Sequence, residues 1–177
     1  MDAKTSFMKQ LLSADKAFGL PIPIVPFSDW KYYYITKPLT WKSESSFQID
    51  VNIVKVPEGF VTDLASIPQL FWQWIPPMGP YGYAAIVHDF LYWEQYTDRS
   101  SADKIFYLGM NDLKVSKFKS IPIYNAVKIA GGIAWQRNKS KRENGERRVL
   151  SKFPSTVDTS WEEWKSISGV FSDASSR

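Results

Sequence analysis

The chain has one histidine, His88, and the residue types around it are those of proton-transfer chemistry. It stands in the segment His88-Asp89-Phe90-Leu91-Tyr92. Two further carboxylates, Asp63 and Asp103, fall in the segments Phe60-Val61-Thr62-Asp63-Leu64-Ala65-Ser66-Ile67-Pro68 and Arg99-Ser100-Ser101-Ala102-Asp103. An imidazole changes charge near neutral pH. When a carboxylate holds one ring nitrogen, the tautomer is set and the other nitrogen can take a proton from water or from a nucleophile. On a helix His88 and Tyr92 sit one turn apart on a face with Ala84, Val87, Leu91 and Gln95, and Asp89 is rotated by about 100° to its edge. That face is mostly apolar, so both ring nitrogens need partners. Asp103 is the candidate carboxylate, because a turn at 97–100 would bring its helix back beside the first. Each residue also has a plainer role. His88 and Tyr92 would serve as core residues. Asp103 would favour the dipole at N3 of a helix starting at Ser100, and Asp63 would cap a helix starting near Ser66. What singles them out is that Asp63, His88, Asp89 and Asp103 are the polar members of otherwise apolar segments.

Composition narrows the chemistry. There are no cysteines, which excludes disulfides, zinc–thiolate sites and a cysteine nucleophile. One histidine excludes a centre built on several imidazoles and argues against zinc. A cation here would lean on carboxylate and carbonyl oxygens, which suits calcium or magnesium. Ser66 lacks the glycine-flanked elbow of a serine hydrolase, and no phosphate-binding or dinucleotide glycine motif is present. The net charge of +4 is concentrated in residues 137–148 (RNKSKRENGERR), which read as a solvated connector. The absence of aromatics there argues against a nucleic-acid stacking platform. No apolar run approaches the roughly 18 residues of a membrane span. The N-terminal residues lack the apolar core of a signal peptide. The expected location is the cytoplasm, or a virion.

The elements that must position these residues follow from pattern. An amphipathic helix is expected over 4–13, then an extended path through Pro21, Pro23 and Pro26. Strands are expected at 30–36, 39–42 and 60–61. Another spans 47–56, with Phe47, Ile49, Val51 and Ile53 on its inward face. Pro57-Glu58-Gly59 is a turn. Ser66-x-x-Gln69 opens a short helix to about 75. Helices follow at 80–96, from Ser100 to about 115, and at 120–136. The last contains Gly131-Gly132, a pair that close helix packing would explain. Residues 158–171 form a peripheral amphipathic helix with Trp161, Trp164, Ile167 and Phe171 on one side. Strands first and helices second make an α+β fold, with N-terminal antiparallel strands packed against a C-terminal cluster of about four helices. The expected organisation is a single domain over 1–136, then a basic connector and peripheral helix over 137–177.

In order and spacing, the three segments resemble the signature segments of the DUF1353 family, and Gly131-Gly132 with Trp135 resembles its C-terminal Gly-Gly…Ala-Trp segment. The resemblance covers about residues 57–136. It implies an association with tailed phages and prophages, a setting in the host cytoplasm or the virion, and other phage or host proteins as partners. Locally, His-Asp-x-x-Tyr on one helix with an Asp on the next is similar to phospholipase A2, notably its prokaryotic forms. That similarity implies His88 as base, Asp103 as its orienter, Asp89 as a calcium ligand and Tyr92 as a supporting donor. The disulfides and the glycine-rich calcium loop of that family are not reproduced. HD-domain phosphohydrolases share the His-Asp pair but need further histidines that this chain lacks. The resulting expectation is a small phage-encoded hydrolase with a His-Asp site, acting on an ester or amide of the host envelope or on a phage-processing substrate. The alternative is a non-enzymatic tail or virion component, or an inhibitor of a host factor.

Overall fold

The computed structural model describes residues 23–43, 50–64 and 81–172. The helices expected at 4–13 and 66–75, the latter with its Ser66 capping box, lie outside them. Among the described residues five short strands come first: β1 (Ile24–Pro26), β2 (Tyr33–Ile35), β3 (Leu39–Lys42), β4 (Ile53–Val56) and β5 (Val61–Thr62). β1, β2 and β5 form an antiparallel sheet in the order β1-β2-β5, and β3 and β4 form a separate antiparallel pair. Four helices follow among the described residues: α1 (Gly82–Glu94), α2 (Arg99–Asp112), α3 (Lys117–Glu143) and α4 (Trp161–Ser166). Antiparallel strands in the N-terminal part and helices in the C-terminal part make the fold α+β.

The inward face of β4 differs from the expected one. Val54 and Val56 are fully buried, whereas Ile53 is 48% exposed. Val54 pairs with Trp41 and Val56 with Leu39, both themselves buried. The apolar alternation changes parity at the adjacent pair Ile53-Val54, and a one-residue change of parity exchanges the two faces of a strand. The large Trp41 ring decides which face points inward. Its indole N–H donates to Asp112 Oδ2 at 2.9 Å, which ties the strand pair to the end of α2.

α1 is buried on nearly every side, from Gly82 through Trp93 apart from Tyr83, as a helix apolar all round must be. α2 starts one residue before the expected Ser100. Its cap is Asp98, which accepts from Ser101 N at 3.1 Å. Asp103 therefore stands beyond the first turn and has no capping duty. α3 runs for 27 residues and continues through Glu143, so the boundary expected after residue 136 falls inside a continuous helix. The basic segment is helical to Glu143 and mostly exposed, but two of its arginines have fixed partners. Arg142 donates from Nη1 to the carbonyls of Trp93 and Glu94, closing the C-terminal end of α1. Arg148 is 2% exposed, between the rings of Trp93 at 4.6 Å and Tyr32 at 5.6 Å.

The residues after α3 close the sheet side. Val61 N donates to Arg148 O at 2.7 Å and Leu150 N to Gly59 O at 2.9 Å, while Leu150 bridges on to Phe171. The expected helix at 158–171 shrinks to the six residues of α4, opened by the Ser160–Glu163 capping box. It is not peripheral, because Trp161 is completely buried in a second core with Phe27, Tyr34, Val61 and Leu150. Gly59 lies between the sheet and this closing segment with φ +80, and a Cβ there would collide with the Leu150 carbonyl. Gly59→Ala is expected to cost at least about 2 kcal/mol in chemical denaturation, since left-handed strain and backbone collision add.

Candidate functional site

Helices α1 and α2 meet at a buried carboxylate. His88 Nε2 lies 3.0 Å from Asp103 Oδ1, and Tyr92 donates its hydroxyl to the same oxygen at 2.6 Å. Arg99 Nη1 donates to Asp103 Oδ2 at 3.2 Å and to Lys128 O of α3 at 3.1 Å. His88 and Tyr92 come from one face of α1. Arg99, Asp103 and Phe106 fall at i, i+4 and i+7 of α2. The Phe106 ring stacks on the imidazole with centroids 4.7 Å apart, and Tyr92 packs at 4.1 Å. Gly131 admits the Tyr92 hydroxyl, since a Cβ there would occupy its place. This accounts for one glycine of the tandem pair.

The two imidazole nitrogens differ. With donors from Tyr92 and Arg99 on both Asp103 oxygens, the carboxylate accepts from His88 Nε2–H, which assigns the proton to Nε2 and the lone pair to Nδ1. Nδ1 is buried and has no hydrogen-bond partner among the described residues. Burial holds the His88 pKa below its ordinary 6.5. The hydrogen bond and charge of Asp103 oppose that shift, and the Arg99 cation adds to it. Burial, then the bond to Asp103, pushes the Tyr92 hydroxyl far above its usual range, so it remains a donor.

His88 forms part of the wall of a cleft of about 330 Å³ between α1 and α3, together with Tyr92, Asp89, Asp63 and Tyr32. Val127, Ala130, Gly131 and Ala134 of α3 make the opposite wall, and Arg137, Asn138 and Lys141 stand at one end. Asp89 is 8% exposed and its Oδ2 accepts from the Thr62 hydroxyl. That hydroxyl in turn accepts from Leu64 N at 3.0 Å, where Leu64 holds φ +50. Asp63 lies 3.9 Å from Arg148 Nη1, and Arg148 Nε donates to Glu146 Oε1 at 3.1 Å. The cleft thus brings the sequence-derived residues Asp63, His88, Asp89 and Tyr92 together, with Asp103 directly behind His88. Among the described residues no group of three or more His, Asp or Glu side chains is placed to hold a metal ion.

Sequence reasoning missed Arg99, Thr62 and Arg148 as members of this region. The Arg99–Asp103 spacing of four was legible on a helix. Thr62 and Arg148 are brought beside Asp89 and Asp63 only by the sheet closure and carry no local signal.

The fold and the site define a class: an α+β chain with a His-Asp pair behind an open cleft. A family model described as a protein of unknown function, DUF1353, matches residues 34–127, more than half of the 177-residue chain, and the chain belongs to that family. The match runs from within β2 through β5, α1 and α2 into the first part of α3, and ends before Gly131-Gly132. No curated protein and no solved structure matches the chain.

Asp103→Ala would leave two buried donors and the Arg99 cation without their acceptor. It is expected to destabilise the fold by about 3–5 kcal/mol in chemical denaturation. For His88 the folded pKa lies below the unfolded value, so the unfolded chain binds more protons between the two. Stability should therefore fall as the pH drops below 6.5 and be insensitive to this group above it. His88→Asn should flatten that part of the stability–pH curve.

Proposed function

We propose that the chain is a small hydrolase in which His88 activates water for attack on an ester or amide bond. One observation carries this reading: on the wall of an open cleft, His88 has its Nε2 held by Asp103 and a buried Nδ1 with no partner among the described residues. A structural histidine in a sealed core usually has both nitrogens bonded.

A water bonded to Nδ1 gives its proton to that nitrogen as its oxygen attacks the carbonyl carbon. The C–O or C–N bond then breaks, and the proton on Nδ1 passes to the leaving oxygen or nitrogen. Asp103 stabilises the transient imidazolium and holds the ring, with Tyr92 and Arg99 fixing the carboxylate. Burial keeps His88 neutral at rest, which is the state a base needs at neutral pH. Asp89 and Asp63 line the same cleft, and calcium or magnesium near Asp89 belongs to this proposal as an addition to test. So do phage origin, location in the host cytoplasm or virion, and a target in the host envelope or among phage-processing substrates. In the rival reading, the chain is a virion component or host-factor inhibitor and the Asp103 network serves only to specify the core.

The test is hydrolysis of chromogenic p-nitrophenyl esters and p-nitroanilides of graded acyl length, with and without calcium or magnesium. The expected result is turnover that falls about a hundredfold or more in His88→Asn with the fold retained. The pH profile should lose activity only below about 6.5, as the base is protonated. No turnover on any substrate, or equal turnover in His88→Asn, would favour the rival reading.

A further inference from the structure

α3 is apolar on two opposite sides, and one of them faces outward. Its buried side presents Ser120, Ile123, Val127 and Gly131 to the rest of the fold. At about 100° per residue, Phe118, Ile121, Ile129 and Ile133 gather on the opposite side. They are 94%, 44%, 87% and 70% exposed. Asn125, Gly132 and Gln136 lie on the same side. Gly132 is the other glycine of the tandem pair, and a Cβ there would meet nothing. Among the described residues it therefore has no packing role, and its absent side chain leaves the backbone open to close approach.

Cations edge this strip on both sides. Lys117, Lys128 and Lys139 repeat every eleven residues along one edge, and Lys119 and Arg137 lie along the other, all of them exposed. From Lys117 to Arg142 the helix contains no acidic residue; the first is Glu143, which lies 3.9 Å from Lys139. An exposed apolar strip between rows of long cationic side chains has one natural complement, a surface that is apolar beneath an anionic layer. The lysine stems can lie along the apolar zone while their ammonium groups stay at the headgroups. The shape decides against a helical protein partner, which would need a groove to receive it. This strip is a ridge, with Phe118 standing almost wholly in solvent. A second copy of α3 laid along it would set lysines against lysines.

We infer that the outer face of α3 docks the protein on an anionic phospholipid surface. Ile133 and Arg137 belong both to this face and to the cleft lining, so docking would bring the cleft mouth beside the lipid headgroups. The inference stands on the strip and its cations, and does not require His88 to be catalytic.

The test is co-sedimentation of the full chain with unilamellar vesicles of phosphatidylcholine alone and of phosphatidylcholine mixed with phosphatidylglycerol. Binding is expected to the anionic vesicles, with weakening as salt rises. Ile129→Asp and Lys128→Glu should each reduce it about tenfold or more. Because both positions are exposed, circular dichroism and thermal melting should show these variants folded. Absence of binding, equal binding to neutral vesicles, or binding unchanged in Ile129→Asp would overturn the inference. Self-association abolished by Ile129→Asp without vesicle binding would overturn it in favour of a second copy as the occupant.

Discussion

The Asp103 carboxylate, 1% exposed, is the point on which the three long helices depend. A carboxylate taken out of water is costly unless its oxygens are bonded and its charge is met. Here α1 supplies His88 and Tyr92 and α2 supplies Arg99, which also reaches the α3 backbone at Lys128. The requirement propagates outward. Tyr92 can reach Asp103 because residue 131 of α3 is glycine, and the imidazole is held flat by Phe106. Relative placement of the helices is thus set by directional bonds in the same place where apolar packing brings them together.

The same network makes the imidazole asymmetric. One nitrogen is spent on Asp103 and the other, also buried, has no partner among the described residues. Burial lowers the basicity of the ring while Asp103 restores part of it, and Arg99 limits how much.

The basic stretch after residue 136 shows how composition can mislead. Read as a string, its Lys and Arg residues resemble a solvated linker. In the fold Arg142 closes the carbonyl end of α1 and Arg148 sits between two aromatic rings beside Asp63. Charge predicts exposure only where no fixed acceptor or aromatic face is waiting. Those acceptors come from segments about fifty or more residues away in sequence, and no local pattern reports them. The terminal Trp161 likewise has a helical neighbourhood in sequence but a β-sheet neighbourhood in space.

Much of the site was legible because it rests on local periodicity. Helical spacing alone places His88 over Tyr92, and Asp103 one turn from Arg99 and one turn from Phe106. The α+β order, the Gly59 turn and the apolar character of α1 likewise follow from residue type and period. Tertiary structure decided the rest. It chose the inward face of β4 through the Trp41 pairing and gave Asp103 an acceptor's role instead of a capping one. It also separated the tandem glycines, one admitting a tyrosine hydroxyl and the other lying open on an apolar ridge. Periodicity specifies which residues share a face. Which face is buried, and what meets it there, depends on partners that only the folded chain brings within reach.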